Sequence, residues 1–530
     1  MVDMEAVGLS AGNASVVGED AGREVWSLAA VGAVVIALST LVWMYGELQR
    51  VRRPARGPVR WPVVGCLLEM RRNFGRLNDW FLSYFSEDVK TYKLELPFPN
   101  RQTVINTVDP VNVEYILTNI QIYGKGKAVQ IRLGDFLGTG FFTADGNVWR
   151  RHRKIASTEF STRKLREHSN TVFREDAIRL ANALNRAMVA DKPVEFQNLA
   201  MRMTLDSICK VAFGVDLGGL SPSLPDVPFT TAFDTAQGLL PQRLVNPVYR
   251  IQRALNIGVE RIFRNAVREV NLFAKDVINK RRLEIAAAHN VGKEFKGEDL
   301  LSKFMANKEG AEDHYNDVEL RDVVVDFLVA GRDTTGVTLA WFMYEICCHP
   351  EIADKVYQEG VEVLGKHTDY ESMAEKLTHD NLGRMQYLHA ALSECLRLHP
   401  PVPRDGKTVL ADDVLPDGTV VKKGNIVQYV PYSMARMPFL WGSDAQELKP
   451  ERWLKDGVFQ SVSPFKFTTF QAGPRICLGR DSAYLQLKVT LALIIHFFTF
   501  QLVPGQEITY TSSLVMPMKN GVKVTMSPRQ

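Results

Sequence analysis

The sequence predicts one large globular unit carried behind a single amino-terminal membrane-spanning helix. Three observations carry that expectation. The 530 residues show no internal repeat, no block of like charge and, after residue 65, no low-complexity linker, so one chain can bury a large core. No charged residue interrupts residues 25–46. Helical patterns run over residues 317–348, 388–398 and 480–491, the first two stopped by His-Pro and the third opened by Gly479. A formal net charge of +4, from 64 basic and 60 acidic residues, points neither to a nucleic-acid binder nor to a disordered chain.

The uncharged run is long enough for a helix to cross a hydrocarbon core of roughly 30 Å. Trp26 lies near one end, and Trp43 with Tyr45 near the other, where interfacial aromatics belong. Asp3, Glu5, Glu19, Asp20 and Glu24 precede it; Arg50, Arg52, Arg53, Arg56 and Arg60 follow, which places the body on the cytoplasmic side. A cleaved signal or transit peptide is disfavoured, because the start is acidic and the apolar core too long. The expected organisation is a short lumenal segment (1–24, with an Asn13-Ala14-Ser15 sequon), an anchor (25–46), a stiff stalk (47–65, prolines at 54, 58 and 62) and a catalytic domain (66–530).

Six cysteines (Cys66, Cys209, Cys347, Cys348, Cys395 and Cys477) stand without C-x-x-C spacing, so neither disulfides nor a zinc site is indicated, and five read as small core residues. Cys477 differs. It lies in Phe470-Gln471-Ala472-Gly473-Pro474-Arg475-Ile476-Cys477-Leu478-Gly479, just before a helical pattern. A thiolate ligand needs a tight loop, protection and charge-stabilising donors. Gly473 and Gly479 allow close backbone passage, the helix start offers free N–H groups, and Arg475 supplies a permanent cation.

The loop resembles the haem-binding signature of the cytochrome P-450 monooxygenases, F-x-x-G-x-R-x-C-x-G, with every fixed position present. The resemblance implies that Cys477 holds the iron of haem b and that the fold is mainly α with a small β-rich lobe behind one transmembrane helix. Further segments match. Ala330-Gly331-Arg332-Asp333-Thr334-Thr335 lies inside the 317–348 helix, where glycine and threonine are poor helix formers and a threonine hydroxyl can bond a carbonyl one turn back, opening the helix. In the family this helix crosses the distal haem face, and Asp333 with Thr334 would pass protons to bound oxygen. Trp149-Arg150-Arg151-His152-Arg153 fits a W-x-x-x-R helix, which would aim Trp149 and Arg153 at the haem propionates. Arg150, Arg151 and Lys154 would then face outward, towards an acidic flavoprotein donor. Glu394 and Arg397 lie three apart on one helix face, and Pro450-Glu451-Arg452-Trp453 would add Arg452 to make a scaffold cluster. Lys407 stands where many members carry a propionate-binding arginine, and lysine lacks the bidentate fork.

Longer stretches resemble the plant fatty-acid ω-hydroxylase branch: residues 141–146 leading into Trp149, residues 159–162, residues 402–407 and residues 467–479. The resemblance implies hydroxylation of long-chain fatty acids at or near the terminal carbon, driven by NADPH through a partner reductase at the endoplasmic reticulum membrane. Terminal C–H attack requires a channel that admits only the chain end. Family position offers Phe136, Leu137, Phe141, Phe327, Val329, Ala330, Val402, Leu514, Val515 and Met516 as its lining, all apolar, though core packing would explain them equally. Alternatives are a haem-thiolate isomerase or dehydratase of lipid hydroperoxides, a monooxygenase of another lipophile, or a haem sensor. The acid–threonine pair favours oxygen activation.

Overall fold

The computed structural model describes residues 31–45, 57–61, 64–96, 102–160, 162–225, 227–290, 297, 299–306 and 315–529. Residues 31–45 form a helix that exposes Ile36, Leu41, Val42 and Tyr45. Among the described residues no helix is long and apolar enough to cross a membrane. Both ends of the anchor expected over 25–46, and all of 1–24, lie outside the described residues.

The body is mainly helical. A five-stranded sheet joins β1 (Thr91–Glu95), β2 (Thr103–Thr107), β3 (Tyr123–Gly124), β5 (Asp405–Val409) and β6 (Ile426–Tyr429) in the order β1-β2-β6-β5-β3. Strands β2 and β6 run parallel, with Val104 opposite Ile426; the other pairs are antiparallel. A three-stranded sheet joins β7 (Phe498–Leu502), β8 (Lys523–Pro528) and β4 (Val194–Glu195).

Described residues of the expected stalk contact this body. Arg60 pairs with Glu95 at 2.8 Å, and Trp61 and Gly65 exchange two backbone hydrogen bonds of 2.9 Å. At Gly65 (φ +55°) a Cβ would lie 2.3 Å from the Glu95 carbonyl oxygen, so glycine lets the chain lie on β1.

The helices that build the site are α1 (Gly126–Leu137), α2 (Gly146–Phe160), α3 (Arg163–Val189), α4 (Phe196–Phe213), α5 (Pro228–Leu239), α6 (Tyr249–Leu255), α7 (Gly258–Asn290), α8 (Asp317–Leu328), α9 (Thr334–Cys348), α10 (Gln386–Leu398) and α11 (Arg480–Phe497). Helix α11, buried over most of its length, packs on α3, and α9 packs on α4. Helices α8 and α9 are one rod interrupted by a π-turn at Val329–Asp333, where the Gly-Thr segment predicts an opening. Asn316 starts the rod with a capping box to Glu319. Gly331 serves packing as well: a Cβ there would meet Ile208 of α4 at 2.5 Å. Thr204 of α4 donates its hydroxyl to the Arg332 carbonyl at 2.9 Å, within the loosened turn.

Candidate active site

The loop before α11 is tight for a steric reason. Gly473 has φ +67°, and a Cβ there would stand 2.5 Å from the Leu117 carbonyl oxygen. The Cys477 N–H donates to the Phe470 carbonyl at 2.8 Å, closing the loop three residues before the helix. Gly479 differs from the expectation. It has ordinary φ (−86°), an added Cβ would rest 3.9 Å from the Cys477 sulfur, and its backbone N–H bonds the thiol. The Cys477 side chain is reachable by solvent yet deeply enclosed. Burial pushes its thiol up, opposed by the Gly479 N–H, Arg153 and Arg480. Of the other five cysteines, Cys66, Cys209 and Cys395 are buried and Cys347 half-buried. Cys348 is exposed, because it closes α9 at the surface.

Cations gather on this side. The Arg475 guanidinium lies 4.5 Å from the Trp149 ring centroid and donates to Asp145 Oδ1 at 2.6 Å and to the Ala144 carbonyl at 3.0 Å. Its Nε is buried without a hydrogen-bond partner. Arg153, one turn beyond Trp149 on α2, loses some basicity to burial, and Cys477 is its leading electrostatic support. Lys407 is buried and bonded to Asp405 Oδ2 at 2.6 Å; Lys125 reaches Asp405 Oδ1 at 3.2 Å. Burial brings the Lys407 ammonium down to about 7, with Asp405 opposing the fall. On the same helix, Arg150 and Lys154 are exposed as expected. Arg151 is not: it pairs with Glu319 and lies over the Tyr315 ring at 4.6 Å, because α2 packs beside the start of α8.

At the π-turn, Thr334 donates its hydroxyl to the Ala330 carbonyl at 2.6 Å, and Ala330 is exposed beside buried Val329. Asp333 is buried behind it. Its Oδ1 accepts from Arg332 at 2.8 Å and its Oδ2 from Gln237 of α5 at 2.7 Å. Arg332 also grips Asp234 of α5, at 2.5 and 3.1 Å. Burial pushes the Asp333 carboxyl up to about 6, against the pull of Arg332.

The chain-lining residues divide. Phe136, Leu137, Val515 and Met516 are buried, while Val402 and Leu514 are half-buried. Phe136 meets Phe233 of α5 at 5.3 Å. Phe141 and Phe327 sit 5.7 Å apart in a ring cluster with Phe304, and Met516 accepts from the Trp341 indole, so these pack as core. The scaffold cluster forms as expected. Glu394 accepts two 2.7 Å bonds from Arg397 and one of 3.2 Å from Arg452. Trp453, in place of the family's phenylalanine, adds an indole N–H bond of 2.8 Å. Two buried acids escape the motif reading. Asp322 accepts from the Thr139 N–H at 2.7 Å and Asp326 from the Phe141 N–H, and a Cβ at Gly138 or Gly140 would lie 1.9 or 2.0 Å from their carboxylates. An acid four residues from another on a core helix is the only sequence signal for them.

A reachable, enclosed thiol on a glycine-tight loop, beside an indole-stacked arginine with an orphaned Nε and a second arginine, fits an iron porphyrin with two carboxylates; the fold and site are those of a haem-thiolate protein. A cytochrome P450 family model matches residues 55–525, and the chain belongs to that family. It is 43% identical over 526 residues to cytochrome P450 704B1 of Arabidopsis thaliana, covering 94% of this chain and 99% of that one. It is 42% identical to cytochrome P450 704C1 of Pinus taeda (93% and 96% covered) and 36% identical to cytochrome P450 86B1 of Arabidopsis thaliana (93% and 90%). These relatives agree with the plant branch the sequence resembles. The protein is thus a haem-thiolate monooxygenase supplied with electrons from NADPH through a partner reductase.

Proposed function

We propose that this protein hydroxylates long-chain fatty acids at or near the terminal carbon, held at the endoplasmic reticulum membrane by a helix within residues 25–46. The observation that carries the oxygen-activating part is the π-turn, with the Thr334 hydroxyl on one side of it and buried Asp333 on the other. An isomerase or dehydratase has no use for such a pair. The fatty-acid part is supported by the resemblance, by the plant relatives and by the apolar lining set. One oxygen atom enters a C–H bond and the other leaves as water, with two electrons from NADPH and two protons.

Cys477 ligates the haem iron, and Trp149, Arg153, Arg475 and Lys407 hold the propionates. When bound, the haem supplies the iron at which dioxygen is reduced. Gly473 and Phe470 fix the thiolate loop, and Gly479 donates its N–H to the sulfur. Thr334 turns its hydroxyl from the Ala330 carbonyl to hand on a proton, and Asp333 replaces it, its carboxyl exchanging protons near neutrality. Asp234 lies between that acid and water, its side chain 58% exposed. Glu394, Arg397 and Arg452 are scaffold.

Microsomes holding this protein and a plant reductase, given NADPH and fatty acids of medium to very long chain, should yield terminal hydroxy acids. If no acid is oxidised while the reduced, CO-bound haem reports thiolate ligation, the fatty-acid reading falls and the monooxygenase remains.

A further inference from the structure

We propose that a basic pocket at the outer end of the five-stranded sheet binds the carboxylate of the substrate, so that the chain enters tail first. This rests on the fatty-acid reading. The pocket has a volume of about 390 Å³ and is lined by Gln102, Ile131, Arg132, Tyr249, Arg250 and Lys423 among others, with three cations and no carboxylate. Arg132 has a neutral partner, Gln102 Oε1 at 2.5 Å. Among the described residues Arg250 meets the Tyr249 hydroxyl, at 3.4 Å, and its ring.

The neighbouring acids are already used. Asp135 accepts from Arg243 at 3.0 Å and from Arg253 at 2.6 and 2.7 Å, and Glu260 accepts from Arg243 at 2.7 and 2.9 Å. Asp412, the acid nearest Lys423, accepts from the Lys422 ammonium at 2.9 Å and the Lys423 N–H at 2.8 Å. Positive charge is left over, and Arg250 and burial both act against the Arg132 charge. An anion relieves that cost, and a carboxylate matches the guanidinium fork.

The pocket's place in the fold argues for the head of a long chain. Gln102 leads into β2 and Asn425 into β6 at this end of the sheet. Tyr429 stands four residues on from Asn425, about 13 Å of extended strand, and pairs with Asp405; Val402 lies beyond. Along α1, Arg132 is one turn before Phe136. The charge thus sits at one end of the sheet, with Phe136 one turn inward of it and Val402 beyond the other end. Exposed Ile131 and half-buried Ala128 add apolar surface to the lining.

The test is equilibrium binding to the holoenzyme, by haem spectral titration, of hexadecanoic acid, its methyl ester and hexadecan-1-ol. Wild type should bind the acid most tightly. The double variant Arg250→Gln/Lys423→Gln, both side chains exposed, should raise the Kd of the acid about 10-fold, about 1.4 kcal/mol, and leave the other two unchanged. Arg132→Lys should retain more acid affinity than Arg132→Gln. Equal weakening of all three ligands, or none for the acid, overturns the pocket while fatty-acid turnover by wild type stands. Loss of binding to phosphatidylglycerol vesicles with unchanged acid affinity also overturns it, as a lipid headgroup site. If wild type binds none of the three, the fatty-acid reading fails and takes the pocket with it.

Discussion

Two buried clusters of arginine and carboxylate have opposite designs. Glu394 accepts five bonds, from Arg397 twice, Arg452, the Trp453 indole and the Lys449 N–H, all between 2.7 and 3.2 Å. Neither of its oxygens touches water, and its partners lie on α10 and the Pro450–Trp453 turn that packs against it. Asp333 belongs to an open cluster. It ties the π-turn to α5 through Gln237 and Arg332, leaves Arg332 Nε and Gln237 Oε1 buried without hydrogen-bond partners, and ends at the exposed carboxylate of Asp234. Saturated bonding fixes a shape; unsaturated bonding with an outlet to solvent leaves a proton somewhere to go.

The largest effect should come from opening the closed cluster. Glu394→Ala leaves Arg397 buried without its acid, while Arg452 keeps Asp444, and should cost about 3–5 kcal/mol, read as loss of thermal stability and haem incorporation. A variant that folds and ligates haem normally would refute the scaffold assignment. Asp333→Asn should retain the fold, since Arg332 keeps Asp234, and lower product formed per NADPH by on the order of 10²-fold. Unchanged coupling in that variant would make the two clusters equivalent.

The pH response should separate them further. In the folded protein burial lifts Asp333 from 3.8 to about 6. The native state therefore holds an extra proton between those values, and this group's contribution to stability falls as pH rises through that window. Wild-type coupling should show a limb near pH 6 that Asp333→Asn abolishes. The smallest effect is a shift. Asp234→Asn removes a like charge and leaves Arg332 wholly to Asp333, so the limb should move to lower pH, by about one unit or less. An unmoved limb would mean that Asp234 does not communicate with the acid.

Legibility in the sequence followed the same division. The Cys477 loop and Glu394–Arg397 are close in sequence, where glycine, helix spacing and fixed charge determine the outcome. The opened turn was legible because Gly331 and Thr334 act on their own helix. The hold of Asp234 and Gln237 on the π-turn spans about a hundred residues, and the hold of Asp322 and Asp326 on residues 139–141 spans almost twice that. A single sequence carries no signal for such pairs. The same limit hid the hold of Arg60 on β1 and the turning inward of Arg151, each decided by one acid, Glu95 or Glu319, far along the chain.

Helix α5 places Phe233 against Phe136 and, within the same turn, Asp234 and Gln237 against the π-turn. Evolution therefore has no independent dial there for what the enzyme accepts. A mutation that reshapes this stretch to admit a bulkier guest also disturbs how frugally the enzyme uses oxygen and reductant. Descendants that broaden their diet by this route should leak peroxide, and those that change it cleanly should have altered some other wall.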